Sequence, residues 1–297
     1  MRDGVLMRRA TYAAVLVAVA LIGLKGGAFI LTGSLAMLAT LFDSMLDMAA
    51  SVLNLFAVRA ALTPADREHR FGHGKAEAMA GLGQAAIIVL SAVYIVFEAI
   101  ERLLTPSPVT ESAVGVIVTV IAIALTLGLV AFQTKVVRET NSLAIAADSI
   151  HYKGDLLMNL AVIAALVLSV FPGFSWADPV FGLLIAAFIV LSAVAIVREA
   201  VRQLMDHEMP EEDRERIRAI VLADKDVVNM HDLRTRMAGN QGFIQFHLEL
   251  DGGMTLDQAH VIADRVELAV QKAFPGSEVI SHQDPVGAEH ITAFERT

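Results

Sequence analysis

The sequence lacks cysteine altogether. Disulfide bonds and thiolate metal ligands are therefore excluded, and any bound metal must be held by Asp, Glu, His or backbone oxygen. Charged and aromatic residues are also scarce, at 19% and 6% of the 297 residues. The chain has no convincing internal repeat and no low-complexity segment, which excludes repeat and disordered proteins as classes.

The residues that dominate the chain are apolar: 56% are hydrophobic and the mean hydropathy is +0.60. A soluble domain of this length does not need so much apolar side chain. The first apolar run is too long, and too poor in a small-residue cleavage site, to be a signal peptide. Six runs reach or approach the roughly 20 residues that a helix needs to cross hydrocarbon, at 10–31, 35–58, 76–100, 113–132, 145–171 and 177–197. We expect an all-α membrane bundle of six transmembrane helices over residues 1–205.

Residues 206–297 form a second region of different charge. They contain 18 Asp and Glu against 9 Lys and Arg, whereas residues 1–205 contain 14 of each kind. The whole net charge of −9 therefore belongs to the C-terminal region. This excess argues against a nucleic-acid or anionic-lipid partner and suits a domain that attracts cations.

Basic residues flank alternate links between the apolar runs, at Arg2, Arg8, Arg9, Arg59, Arg67, Arg70, Lys75, Lys135, Arg138, Arg198 and Arg202. The intervening links, at 32–34, 105–111 and 172–178, carry neither Lys nor Arg. Cytoplasmic links are enriched in Lys and Arg, so this alternation predicts that both termini and the C-terminal region are cytoplasmic.

The C-terminal region has the pattern of a small α+β domain. Pro210 and the acidic residues that follow it indicate a helix start. Strands are expected at 226–237 and 242–251, joined by a turn through Gly239 and Asn240, with a helix at 257–273, a third strand at 277–284 and irregular structure over the last dozen residues. The order αββαβ suggests a ferredoxin-like sandwich.

Four costly polar residues lie inside the second and fifth apolar runs. Asp43 and Asp47 are spaced i, i+4, and so are His151 and Asp155, which places each pair on one face of its helix. A charge at the membrane centre costs at least about 2.5–3.5 kcal/mol, so an offsetting interaction is required. Four such ligands suit tetrahedral Zn²⁺ and tolerate Fe²⁺, Co²⁺, Cd²⁺ or Mn²⁺. The alternative, hydrogen-bonded pairs in a wet cavity, is disfavoured because unneutralised carboxylates repel.

Ligands that shed protons before they bind metal provide an exchange of metal for protons. His151 titrates nearest to physiological pH and is the expected proton carrier. Asp148, one turn earlier, either orients the imidazole or lies near the mouth of the helix. Lys25 lies inside the first apolar run and Lys153 lies beside His151; snorkelling to the interface or pairing with a carboxylate accounts for both.

These residues occur in strings that resemble the cation diffusion facilitator family, most closely its bacterial FieF/YiiP-type zinc and iron efflux branch. The strings run in order over most of the chain: LFDSMLD at 41–47, FGHGKAE at 71–77, HYKGD at 151–155, HDLRTR at 231–236 and HQDP at 282–285. The family pattern leads us to expect a hydroxyl residue where Gly154 stands. The short link 135–141 fits the bacterial branch.

The resemblance implies a multi-pass protein of the bacterial inner membrane that exports divalent cations in exchange for protons. It also implies a homodimer held partly by a cytoplasmic metal-binding domain over residues 206–297. Asp43, Asp47, His151 and Asp155 would form the transport site. The bound or transported ion would be Zn²⁺, with Fe²⁺, Cd²⁺, Co²⁺ or Mn²⁺ also accepted.

Two further groups have the composition of metal sites. Asp66, His69 and His73 have ligand spacing in a cytoplasmic link, although solvated loop residues are the alternative, and the family pattern favours a metal there. In the C-terminal region the candidates are His231, His247, His260, His282 and Asp284. The resemblance supports a cluster that holds two zinc ions, bridged by Asp284. His207 and His290 are interpreted as surface residues.

Two rival functions remain to be weighed. A membrane-anchored metal sensor would bind metal through its C-terminal region, but it would not need four costly ligands in the bilayer. An intramembrane metallohydrolase also uses buried Asp and His, but the sequence has no His-Glu-x-x-His motif. The sequence therefore predicts a transporter and not an enzyme.

Overall fold

Long helices dominate the first part of the chain in the computed structural model, which describes residues 2–33, 35–104, 113–168 and 176–287. Contacts divide the chain into two units, residues 1–202 and 203–297. The described residues of the first unit form six helices: α1 (Arg2–Thr32), α2 (Leu35–Ala61), α3 (Lys75–Leu104), α4 (Ala113–Thr140), α5 (Leu143–Leu168) and α6 (Ala177–Leu204, whose last two residues belong to the second unit).

Five of these helices, all except α5, are long and apolar enough to cross a membrane when the described residues are considered. Helix α5 is 26 residues long, but its first half carries Asp148, Lys153 and Asp155. The helices extend beyond the apolar runs, because a helix can continue through polar residues where it leaves the hydrocarbon layer. For example, α4 continues through Lys135 and Arg138 to Thr140, and α5 begins three residues later.

The first unit packs through small residues and exposes large apolar ones. Ala10, Ala14 and Ala18 are fully buried along one face of α1, whereas Leu90 and Leu191 are about 70% exposed. Small residues let helix backbones approach closely, which is how helices associate where lipid removes the hydrophobic driving force. Helix α5 contacts α2, α3 and α4, so its polar first half faces the interior of the bundle.

The second unit contains α7 (Glu211–Leu222), β1 (Asn229–Ala238), β2 (Gln241–Leu250), α8 (Leu256–Ala273) and β3 (Glu278–Pro285). This is the αββαβ order predicted from the sequence. The sheet order is β1-β2-β3, with β1 antiparallel and β3 parallel to the central β2. The parallel pairing requires a crossover, which α8 supplies.

The core of the second unit lies between the helices and one face of the sheet. Ile244, Phe246 and Leu248 on β2 pack with Ile217 of α7 and Val266 of α8. The other residues of β2, Gln245, His247 and Glu249, alternate with them along the strand and are less buried. The first strand begins at Asn229 and not at Asp226, because Asp224 and Asp226 form a turn whose carboxylates bind Arg265. The predicted irregular C-terminus and His290 lie largely or wholly outside the described residues.

Candidate metal centres

Three of the four predicted intramembrane ligands converge between α2 and α5. The His151 Nε2 atom lies 2.9 Å from Asp47 Oδ1 and 3.7 Å from Asp155 Oδ2. One ligand atom from each residue lies within 4.8 Å of the other two. Helix α2 supplies one carboxylate, and α5 supplies the imidazole and the second carboxylate one turn later.

The oxygen Asp155 Oδ2 is the least satisfied atom of this membrane cluster. It is buried and has no hydrogen-bond partner among the described residues. A buried carboxylate oxygen without a partner is costly, so an unpaired acceptor facing an imidazole and a second carboxylate indicates a place for a cation. Two oxygens and one nitrogen are a donor set that divalent transition metals accept.

Asp43 is not part of the membrane cluster in the structure. It is exposed on α2 and falls outside the group of three ligand atoms that lie within 4.8 Å. Four residues of helix correspond to about 6 Å along the axis, so Asp43 and Asp47 share a face but reach different depths. The i, i+4 spacing therefore predicts that Asp43 and Asp47 lie on one face of α2, but it does not predict that Asp43 lies too far along the helix to reach the His151 imidazole.

Asp148 is buried behind the membrane cluster and is only 1% exposed. Gln133 Nε2 donates to its Oδ2 at 2.6 Å, and Gln84 Nε2 is 3.5 Å from its Oδ1. The position is not the mouth of the helix, and the amides of α3 and α4 occupy its carboxylate oxygens. Asp148 thus ties α5, which carries His151, to two neighbouring helices.

Residues Asp66, His69 and His73 come together in the link between α2 and α3. Asp66 Oδ1 lies 3.4 Å from His69 Nδ1, and Asp66 Oδ2 lies 3.4 Å from His73 Nε2. The backbone N–H of His69 donates to Asp66 and holds the pKa of that carboxyl below its usual value of 3.8. Gly72, at φ +76°, allows the chain to turn between the two histidines. The cluster is half exposed, in keeping with a loop site.

The second unit gathers His231, His247 and Asp284 on three neighbouring strands. Asp284 Oδ2 lies 2.7 Å from His247 Nδ1 and 3.7 Å from His231 Nε2. The strand register explains this arrangement, because His231 is opposite His247 on β2, which is opposite His282 on β3. Asp284 is only 8% exposed, so its charge lies at the base of the cluster.

The other two predicted ligands of the second unit behave differently. His282 Nε2 lies 3.3 Å from Asp284 Oδ1, and its ring centroid is 4.8 Å from that of His247, so it borders the cluster. His260 does not belong to it. Its Nε2 lies 3.6 Å from Asp264 on the same helix and its side chain is 70% exposed. Helix α8 packs on the apolar face of the sheet, whereas His247 belongs to the other face.

Sequence reasoning missed two carboxylates beside these histidines. Glu249 Oε1 lies 3.1 Å from His231 Nδ1, and Asp232 Oδ2 lies 3.8 Å from His247 Nε2. Glu249 is detectable from the sequence, because it alternates with His247 along the polar face of β2. Asp232 is not, because it has φ +48° in a bulge between His231 and Arg234, which redirects its side chain.

Gly154, the departure from the expected hydroxyl residue, lies where α5 and α6 approach closely. A Cβ atom at this position would lie 3.1 Å from Ile189 Cγ2. That contact is tighter than ordinary van der Waals separation, and a β-branched methyl group has little freedom to move away. The glycine is therefore explained by packing against α6 and leaves His151 and Asp155 unaltered.

Comparisons with known proteins cover both units. Residues 11–205 match the family model described as the cation efflux transmembrane domain. Residues 209–286 match the model ZT_dimer, described as the cytoplasmic domain of cation efflux proteins.

Full-length relatives are also similar. A cation-efflux pump FieF of Shewanella oneidensis is 48% identical over 286 residues, which is 96% of each chain. One of Klebsiella pneumoniae is 48% identical over 296 residues, covering 99% of this chain and 98% of the relative. Among solved structures, the metal-bound C-terminal domain of the CzcD transporter from Thermotoga maritima is 28% identical. It covers 27% of this chain and 93% of its own, with a TM-score of 0.26.

Proposed function

The chain belongs to the cation efflux family, also called cation diffusion facilitators, and on that premise we propose that it exchanges cytoplasmic divalent metal for protons. It is a multi-pass inner-membrane protein and a metal efflux transporter, as its relatives are named pumps and not enzymes. The coupled ion, the physiological metal and the ligand residues are the parts that we propose.

The observation that carries the proposal is the Asp47, His151 and Asp155 cluster within the helical unit. The oxygen Asp155 Oδ2 has no hydrogen-bond partner among the described residues, and burying a carboxylate oxygen in that way costs free energy. A divalent cation between the three side chains would satisfy it. Asp43, one turn along α2, would join as a fourth ligand if α2 shifted along its axis during transport.

Proton coupling follows from the chemistry of this donor set. Imidazole binds metal only when it is neutral, and carboxylates bind only when they are ionised, so metal binding expels protons. When the metal leaves, two or more buried carboxylates remain side by side and attract protons in its place. His151 is the group whose ordinary titration lies nearest to physiological pH, so we assign it as a proton carrier.

Zn²⁺ is the metal that we propose first. It accepts mixed imidazole and carboxylate ligands in tetrahedral geometry, and no cysteine is present to favour softer ions. Fe²⁺, Cd²⁺, Co²⁺ and Mn²⁺ remain within the chemistry of the site, since affinity across first-row metals depends on geometry and availability.

The proposed assembly is a homodimer with six membrane spans in each protomer. Helix α5 would be the sixth span, because its Asp148 and His151 side chains are buried against other helices and not exposed to lipid. Both termini would be cytoplasmic by the positive-inside rule. Residues 206–297 would form a ferredoxin-like cytoplasmic domain in which His231, His247, His282 and Asp284 hold resident zinc. Three donors within 4.8 Å fit such an ion, and Glu249 extends the set.

Reconstitution in liposomes tests the proposal. Vesicles would contain a zinc dye and a pH dye, with the membrane potential clamped by valinomycin and potassium. We expect zinc entry to drive proton exit, and an imposed inward-acid gradient to accelerate zinc entry. The Asp47→Asn variant serves as the inactive control, because it removes one charged ligand while keeping the shape of the side chain.

Three outcomes contradict the proposal. Zinc flux that continues unchanged in Asp47→Asn would show that this residue does not carry the metal. Zinc flux that ignores the pH gradient would replace antiport with uniport. Competition experiments with Fe²⁺, Cd²⁺ and Mn²⁺ at fixed pH would identify a different metal if one of them displaced zinc at a lower concentration.

A further inference from the structure

Lys25 is a positive charge inside the helical unit that the transport cycle described above does not use. It lies seven residues before the end of α1, and its side chain turns inward to α2. The Nζ atom donates to Ser44 Oγ at 2.7 Å and to the Thr40 carbonyl oxygen at 3.2 Å. Lysines near helix ends usually extend to the membrane surface, so this inward attachment needs an explanation.

The attachment places the ammonium beside the metal cluster. Ser44 is fully buried and follows Asp43 directly, three residues before Asp47. The ammonium also interacts electrostatically with the carboxylates of Asp47, Asp155 and Asp43. Its two hydrogen bonds go to uncharged acceptors on α2, so the charge is held in position without forming an ion pair that blocks a ligand.

The position of Lys25 changes the net charge that a metal ion meets at the membrane cluster. Ionised Asp47 and Asp155 with a neutral His151 carry a charge of −2, and Lys25 reduces it to −1. The site therefore attracts a divalent cation less strongly than the same ligands would without the lysine, because like charges repel.

We propose that Lys25 is an affinity-determining residue of the transport site, a fixed positive charge that weakens the hold of the site on a divalent cation enough for release. The proposal rests on the proposed function. The residue does not bind the metal; it acts on it through space. A purely structural tie between α1 and α2 is the competing explanation, and the two make different kinetic predictions.

Four variants separate charge from packing. Lys25→Gln removes the charge but retains a donor for Ser44, and Lys25→Met keeps the length of the side chain. Lys25→Arg keeps the charge. Lys153→Met is the matched control, since Lys153 also lies within an apolar helix and is separated from His151 by about 200° around α5.

The readout is the initial rate of zinc uptake into proteoliposomes at pH 7.5, over a range of zinc concentrations. Loss of a nearby positive charge strengthens the binding of a divalent cation, so we expect KM to fall about tenfold in both neutral variants. We expect kcat to fall as well, because the metal leaves more slowly. Lys25→Arg should restore both parameters toward wild type, and Lys153→Met should leave them unchanged.

A structural tie predicts the opposite pattern. If Lys25→Gln and Lys25→Met raised KM, or lowered kcat with KM unchanged, the charge would have no role in affinity. Unaltered kinetics in both neutral variants would also overturn the proposal. These results differ from failure of the proposed function, in which the wild-type protein itself would not exchange zinc for protons. Gel-filtration profiles in detergent identify any variant that does not fold, and the remaining neutral variant then decides.

Discussion

The membrane cluster of Asp47, His151 and Asp155 and the second-unit cluster of His231, His247 and Asp284 use the same side chains in opposite proportions. The first has two carboxylates and one imidazole on two helices. The second has two imidazoles and one carboxylate on three hydrogen-bonded strands, with His282 beside them. The two clusters therefore differ both in their ligand composition and in the secondary structure that carries the ligands.

The two clusters differ in how rigidly the secondary structure fixes the distances between their ligands. Strands in a ladder are joined by backbone hydrogen bonds at every second residue, so His231, His247 and Asp284 keep a fixed spacing. Helices α2 and α5 satisfy their own backbone groups internally and contact each other through side chains, which leaves them able to shift. A transported ion needs ligands on helices that can shift, whereas a resident ion needs ligands on strands that keep a fixed spacing.

The largest expected effect on zinc transport comes from a substitution in the membrane cluster. Asp155→Asn removes the charge of the residue whose oxygen has no partner, and we expect zinc transport to fall at least about 100-fold, since loss of supporting partners alone costs 10–100-fold. Transport above a tenth of the wild-type rate in proteoliposomes, with an equal amount of reconstituted protein, would contradict the assignment.

A smaller effect is expected when the strand cluster is broken. His247→Ala removes the central imidazole, so purified protein should lose the zinc that we propose this cluster holds, while transport falls only about 3–10-fold because none of the proposed transport ligands changes. Elemental analysis of the purified protein measures the first quantity and vesicle flux the second. His260→Ala is the control, since the structure places His260 on the far side of the sheet, and it should keep the zinc. Equal zinc loss in the two variants would mean that His260 belongs to the site.

The smallest expected effect concerns the electrostatic support of the second unit. Arg265 donates to Asp224 at 2.6 and 2.7 Å and holds the pKa of that carboxyl below its usual value of 3.8. A lowered pKa stabilises the folded state above pH 3.8, and the contribution is lost as the pH falls through the folded-state value. Arg265→Met should therefore speed amide exchange in α8 about threefold at pH 7, because exposed ion pairs contribute little.

The pH dependence sharpens this last prediction. The difference between Arg265→Met and wild type should shrink as the pH falls through the folded-state pKa of Asp224, while the hydrogen bond from Arg265 to Asp226 remains as a second contact. Arg218→Met is the matched control, since Arg218 pairs with Glu215 one turn away on the surface of α7. Hydrogen exchange of the full-length protein in detergent supplies the measurement. A difference that does not shrink with falling pH would attribute the effect to contacts of Arg265 other than its pair with Asp224.

Local spacing predicted much of the fold and part of the sites. The αββαβ order followed from alternation and turn residues, and the polar face of β2 followed from its period of two. The i, i+4 spacing placed Asp47, His151 and Asp155 on facing sides of their helices. Depth was not predictable in this way, since Asp43 and Asp47 share a face while only Asp47 reaches the imidazole.

Contacts between residues far apart in the chain could not be predicted from the sequence, for physical reasons that the structure shows. The partners of Asp148 are glutamines on two other helices, at positions that carry no local signal. The inward attachment of Lys25 depends on how closely α1 approaches α2. Residue type alone groups His260 with the strand histidines, but α8 lies on the other side of the sheet and this position excludes His260 from their cluster.

Composition and periodicity by themselves determined that this chain is a membrane protein with a small acidic α+β domain, because the length and spacing of apolar runs reflect the hydrophobic effect directly. They also determined which residue types are available to hold a metal. Only the tertiary structure decided which of those residues meet, since ligand atoms must converge within a few ångströms and that depends on helix depth, strand register and a bulge at Asp232. These are properties of packing between elements that lie far apart in the chain.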